Sequence, residues 1–541
     1  MQTIFRSTIA VMCLLLAACG GGGYGGNGGN TINVTLNGTI SGLGSQGVGL
    51  SASIVLNSNN TAINVNNTFT LSTNGPFSLA TTGAIGAAYT VTVQLNPAGQ
   101  TCTVSNGTGT VTSATISGIV ITCSPGSASG LGVPTQLSAG LQHTCVRFSD
   151  GNNVTLKCWG NNATGQLGQG TSNSFGSASG QMGTNLPLVN FGGGIIVETA
   201  PGGIHTCVRI VAGSVKCWGA GGVLGLGDTM TRGLLPGDMG SNLPEVDLGG
   251  GLVTQLVVGN GHACARIPLT GVKCWGLNSF GQLGLGDIAQ RGDGPNEMGA
   301  NLPAVNLGTN VTAADIAAGF AHSCATLNQG ALKCWGSNSS GQLGVGDTSN
   351  RGDAPGEMGD ALPFVNLGAG RSVNAVVAGE LFTCALLDDA TVKCWGSNTS
   401  GQLGLGDTTA RPSPSATVAL GAGVAAVELA AGQSHVCARL NTGVLKCWGA
   451  NDAGQLGLGD TNARGDTAGE MGDNLPQVDL GGRMATQLTA FGNHTCVLLD
   501  DSTVKCWGAN TVGQLGLGDT NNRGDMPNEM GNNLPVVNLG N

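Results

Sequence analysis

A cysteine followed ten residues later by a second one, itself set between Lys and Trp-Gly, occurs again and again in this chain. The second cysteine falls at 158, 217, 274, 334, 394, 447 and 506, and only the first copy stretches the pair to thirteen. These seven sites hold every Trp and every Lys of the protein. A repeat of 53 to 60 residues marks one supersecondary unit that cannot bury its own face and has to stack on the next copy. A chain of 541 residues, too long for one ordinary core, is therefore read as an array.

Within a unit, HTCVLLDDSTVKCWG (494–508) sets apolar and β-branched residues on both sides of a polar turn at Asp500 to Ser502, a hairpin signal. Centring the turn on Asp501 puts Cys496 opposite Cys506 and His494 opposite Gly508. Cα atoms so paired lie about 4.5 to 5.5 Å apart, within reach of a disulfide. The same reading pairs Cys145 with Cys158, Cys207 with Cys217, Cys264 with Cys274, Cys324 with Cys334, Cys384 with Cys394 and Cys437 with Cys447. Zinc held by Cys and His is the rival reading, disfavoured by the Lys and Trp flanking each second cysteine. Stretches such as LPAVNL and NVTAADIAAG supply a second strand pair. Seven four-stranded units make a seven-bladed β-propeller, all-β throughout. The first unit starts at VPTQLSAG without the PxVxLG stretch, while the C-terminus supplies LPVVNLGN. Strand 535–539 is therefore expected to close the first blade.

At GxxHTC, KCWGxNxxGQLGLGD and the R/P-rich segment that follows, the sequence resembles the regulator of chromosome condensation repeat family over roughly 130–541. The resemblance implies a seven-bladed propeller. Family members serve as nucleotide exchange factors for the small GTPase Ran, as protein inhibitors of β-lactamase and as scaffolds, so the resemblance leaves activity open. Two departures stand out: the cysteine pair in each unit, and Phe382 in GELFTC where the other six copies have histidine.

Eighteen cysteines at regular spacing suit an oxidising compartment. The N-terminus reads the same way. Arg6 precedes a short apolar run that is too short to span a bilayer. Leu16-Ala17-Ala18-Cys19 resembles the bacterial lipobox, which implies a signal peptide over 1–18 and acylation of Cys19, hence a membrane partner through the lipid anchor. Gly20 at the next position resembles lipoproteins sorted to the outer membrane. The expected location is the cell envelope, lipid-anchored, periplasmic or surface-exposed. Residues 19–30 are a Gly-rich tether. Residues 31–125 alternate in the manner of a small β-sandwich of about seven strands, with Cys102 paired to Cys123. The stretch PAGQTCTVSNGTGTVTSATISGIVITCS resembles an immunoglobulin-like module, which implies a stalk.

A net charge of -10 and the lack of any basic run argue against nucleic acid. Six histidines at one repeated position, His143, His205, His262, His322, His435 and His494, could line an axial metal site or titrate as a sensor. The simpler reading has each bonding to backbone between blades. Six units carry an insertion ending in MG-x-x-LP, at Met182, Met239, Met298, Met358, Met471 and Met530; the fifth runs directly through residues 408–418. The insertions are expected to wall one face, with a gap at the fifth unit. Their recurring charges are the candidate binding residues: Arg291, Asp293 and Glu297; Arg351, Asp353 and Glu357; Arg464, Asp466 and Glu470; Arg523, Asp525 and Glu529. Asp519-Thr520-Asn521 faintly resembles a calcium loop, but Arg523 stands at the fifth position and the twelfth lacks its Glu. No cofactor, metal site or catalytic constellation is assigned. The expected function is a scaffold that binds a protein or glycan. An enzyme with its site on the propeller axis is the alternative, and an exchange factor by family analogy ranks below it.

Overall fold

The computed structural model describes residues 32–41, 48–58, 61–71, 74–95, 100–125, 131–151 and 153–540. The signal peptide, Cys19 and the tether lie outside them. The chain divides into two compact units, one built from residues up to 94 with 102–124, the other from 125 onward with 95–101.

The first unit holds two four-stranded sheets. Ile32–Ser41 is central in one, antiparallel to Gly75–Gly83 and parallel to Thr115–Pro125. Its alternation puts Val34, Leu36 and Ile40 inward, against Phe77, Leu79, Val91 and Ile121. Cys102 and Cys123 are bonded within this core. The described strands number eight, the extra one being the three-residue Thr108–Thr110.

The second unit holds, among the described residues, seven three-stranded sheets. In the first, Val133–Ala139, His143–Ser149 and Val154–Gly160 follow one another; in the seventh, Ala485–Ala490, His494–Leu499 and Val504–Gly508. Cys496 stands opposite Cys506 and His494 opposite Gly508, as centring the turn on Asp501 requires. All seven cysteine pairs are bonded, with Cα atoms 4.0 to 4.1 Å apart. Glycine is needed after each Trp because the strand ends there in a left-handed bend. Gly508 has φ 101°, and a Cβ on it would lie 2.5 Å from the Asn493 carbonyl.

The expected fourth strand does not form. The LPxVxLG stretches lie extended along the outer strand but share little backbone bonding with it, as at Val305 N to the Val272 carbonyl, 2.7 Å. Proline has no N–H to give, and the valine and leucine that follow turn into the seam between sheets. Val305 and Leu307 sit with Trp335 of the next sheet. Each stretch is thus a strap.

The C-terminus departs from expectation in the same way. Val537 N bonds to the Val504 carbonyl, 2.8 Å, so the terminal strap belongs to the seventh sheet. It reaches the first unit through the Leu539 carbonyl, which accepts from Lys157 Nζ at 2.8 Å, and through Val537 and Leu539, buried with Leu137, Phe148 and Trp159. Sheets seven and one also meet directly, Leu137 N donating to Gln487 Oε1 at 3.0 Å. The seven sheets therefore close into a ring. Deleting residues 534–541 should cost about 6 kcal/mol from three buried aliphatic side chains, Leu534, Val537 and Leu539, alone, with Lys157 left short of an acceptor. A urea midpoint equal to that of the full chain would show that the strap carries no weight.

Candidate binding face

Every strap is preceded by a long loop that leaves the outer strand beside the histidine end of the sheet, so all these loops emerge on one face. Each is framed by its own polar groups. Asn510 Nδ2 donates to the Asp519 carbonyl while its Oδ1 accepts from Leu515 N. Arg523 then pairs with Asp519 at 2.7 Å. Arg291 pairs likewise with Asp287, Arg351 with Asp347 and Arg464 with Asp460, at 2.6 to 2.7 Å. The glutamates cap backbone: Glu297 accepts from Gly292 and Gly294, Glu357 from Gly352 and Ala354, Glu470 from Gly465 and Thr467, Glu529 from Gly524 and Met526. Of the candidate binding residues, the arginines and glutamates hold the loops in shape. Asp293, Asp353, Asp466 and Asp525 sit half-buried at the bends. Neighbouring loops are stitched together, as at Gly286 N to the Gly352 carbonyl and Gly459 N to that of Gly524. Six short 3-10 turns follow the six insertion methionines, and the fifth unit has none.

Beneath the loops runs a relay that sequence reasoning placed only in part. His143 Nε2 meets Thr206 Oγ1 of the next sheet at 2.8 Å; that hydroxyl donates to the Gln166 carbonyl at 2.8 Å, which also accepts from Trp218 Nε1 at 3.0 Å. The histidine partner is thus a hydroxyl, not backbone, as it is again for His262 with Ser323, His322 with Thr383, His435 with Thr495 and His494 with Thr144. His205 faces a sheet with Ala263 at the hydroxyl position, and neither of its ring nitrogens has a partner. Phe382 faces Val436, so histidine and hydroxyl disappear together there. Burial pushes the histidine pKa values down, to about 3 for His143, His205, His322 and His435 and about 4 for His262 and His494. They stay neutral at physiological pH, which removes the sensor reading there. Among the described residues no group of three or more His, Cys, Asp or Glu is placed to hold a metal ion.

Two further devices went unread in the sequence. The repeated lysines are buried clips: Lys273 donates to the Leu248 carbonyl of one strap and the Gly299 carbonyl of the next insertion, 2.8 and 2.9 Å, and Lys333 does the same with Leu307 and Gly359. In the fifth unit, which lacks the insertion, Lys393 holds Leu367. The first strands of successive sheets are laced by side chains imitating a backbone ladder, as where Gln255 Oε1 accepts from Ile316 N and Glu198 Oε2 from Leu256 N. The signal for both was a residue at a fixed place in each copy whose partner lies in another copy.

The corner between first and middle strands points to the axis. There Phe320 of the fourth sheet stacks on Phe491 of the seventh, ring centroids 5.1 Å apart. These sheets are not neighbours in the ring, so the stack bridges its centre on the loop face. Recesses of about 280 and 230 Å³ open instead at the opposite, hairpin-turn side of the fifth and third sheets, beside Thr391 and Val418 and beside Thr270 and Leu307.

Residues 156–540 match the family described as RCC1-like domain, and 135–166 the regulator of chromosome condensation (RCC1) repeat. The ultraviolet-B receptor UVR8 of Arabidopsis thaliana is 28% identical over 395 residues, 72% of this chain and 79% of that protein. The probable human E3 ubiquitin-protein ligase HERC6 is 31% identical over 275 residues, which is half of this chain but only 25% of the ligase. Among solved structures, yeast RCC1 (Prp20) bound by Kap60 aligns with TM-score 0.54 at 20% identity, over 76% of this chain and 88% of that one. Prp20p from Saccharomyces cerevisiae, described with its binding to Gsp1p and histones, aligns with TM-score 0.55 at 19% identity, over 75% and 87%.

Proposed function

The chain belongs to the family of RCC1-like domains, and from that premise we propose that it is an exported, lipid-anchored scaffold whose insertion face binds another protein without catalysis. The observation that carries this reading is the loop face itself. Its Arg-Asp pairs and glutamate caps shape loops whose bends stand exposed, at Pro295 and Asn296, Pro355 and Gly356, and Met526 to Asn528. A broad face of this kind, bridged at its centre by Phe320 and Phe491, suits macromolecular contact better than enclosure of a small substrate. Prp20, which shares the fold, is itself bound by Kap60. Export and a lipid at Cys19 rest on the signal-like N-terminus and agree with eight disulfides. The enzyme reading keeps the axis as its site, and the exchange-factor reading would need a cytosolic protein.

A photo-crosslinking residue at Ile288, 63% exposed on the insertion face, and another at Leu269, on a hairpin turn of the opposite face, test this in native envelopes. A discrete protein adduct from Ile288 alone is expected. Adducts from Leu269 alone would overturn the choice of face.

A further inference from the structure

Because the units are copies, each position can be compared with its equivalents in the same chain, and the third unit departs from the rest on the insertion face. Leu277 stands where other copies have Asn161, Ser337, Ser397 or Ala450; Phe280 where they have Thr164, Ser340, Ser400, Ala453 or the smaller Val512; Ile288 where they have Thr348, Thr408 or Thr461. All three are exposed, at 36%, 46% and 63%. The second unit's loop between Trp218 and Leu224 is two residues shorter than its equivalents, and its Gly222 faces the third insertion at Gln290 and Asp293. Leu277 packs on Gly261. The adjacent Asn260 amide donates to the Phe320 carbonyl, so the patch runs inward to the stacked phenylalanines at the centre.

Charge surrounds this patch. Between each Cys-Trp-Gly and the methionine of its insertion, or Thr417 in the fifth unit, the seven loops together carry sixteen Asp and Glu against six Arg. The six arginines are each paired to an aspartate four residues before them. The excess equals the net charge of the whole chain, -10. The balance of charge therefore sits on one face. Gly281, next to Phe280, lies so close to the Asp353 backbone that a Cβ there would overlap it, and Asp293 lies against Gly222 of the shortened loop. An apolar patch that copies of the same loop do without, rimmed by carboxylates that their own arginines leave uncompensated, is complementary to an apolar side chain carried among cations.

Resting on the face assigned above, we propose that the third-unit patch is the anchor site for a lysine- or arginine-rich segment of the partner protein, which lays an apolar side chain on Leu277 and Phe280 while its cations meet Asp293 and Asp353. The floor supplies desolvation and the rim supplies orientation, so affinity falls as salt rises.

The test uses the full chain and three synthetic peptides of equal length, one of Lys and Leu, one of Lys alone and one of Glu and Leu. The Lys and Leu peptide should bind most tightly and the Glu and Leu peptide not at all, with hydrogen exchange slowed around 277–296. L277S/F280S, which installs the serines of the fourth unit and should leave the melting temperature unchanged, should weaken binding at least tenfold. D293N/D353N should weaken it and flatten its salt dependence. Equal binding of the Lys and Glu peptides, indifference to L277S/F280S, or protection confined to the hairpin turns would overturn the proposal. If Ile288 still captures a protein adduct while the Lys and Leu peptide does not bind, the choice of face survives and this partner class falls. Capture from Leu269 alone removes both.

Discussion

Expressed in a reducing cytosol, or with its seven ring cystines replaced by alanine pairs, the protein should not hold its fold. Each bond closes a separate hairpin of ten residues, or thirteen in the first. The loops do not overlap, so their effects on the unfolded chain add. On the chain-entropy account each is worth about 3 kcal/mol, roughly 20 for the seven, against a net stability on the order of 5–15 kcal/mol for a folded domain. One pair alone, C496A/C506A, should lower stability by about 3 kcal/mol with the ring still formed. The cysteines are 0 to 1% exposed, so dithiothreitol should act quickly only once urea opens the ring. A seven-pair variant with the parental urea midpoint would refute this account.

Mild acid should also destabilise the ring. A histidine whose pKa is depressed on folding contributes stability that is present above its unfolded value of about 6.5 and is lost as pH falls towards the folded value. With folded values about 3 to 4, the window runs from near pH 6.5 down to pH 3–4. At pH 5 each histidine has given up about 2 kcal/mol, roughly 12 for all six. Burial is the main cause and the other histidines the only charges adding to it; no carboxylate offsets it. The urea midpoint should drop steeply between pH 6.5 and 5. H143F/T206V, which copies the Phe382 and Val436 pairing of the fifth unit, should lower the slope of stability against pH by one proton. A midpoint indifferent to pH over that range would show that the histidines are hydrated or already charged.

What could be read from the sequence was what one copy contains. The turn at Asp501 fixes the register of its hairpin, and the register puts the cysteines opposite each other. The insertion methionines mark the six 3-10 turns for the same reason. What escaped lies between copies. His143 finds its hydroxyl 63 residues on, and Lys157 its strap carbonyl 382 residues away, distances that only ring closure collapses. The fourth strand was expected because LPAVNL alternates, but alternation cannot tell a strand with a full ladder from a strap whose proline gives no bond. One clue was available: Phe382 and Val436, odd in two different copies, are odd together. The charges of the insertions belong to what one copy contains, Arg291 pairing with Asp287 and Glu297 capping the backbone of its own loop.

The lysine clips leave a chemist with little to hold. Each of the seven amines in the chain's side chains faces the carbonyls of a strap or insertion, and six of the lysines are 7% exposed or less. Amine-reactive dyes, biotin esters, lysine crosslinkers and lysine-specific proteases should therefore find the folded ring almost inert, with Lys393 the first to yield. Attachment to a sensor surface by amine coupling would run through the α-amino group wherever that is free, holding every molecule from the same end.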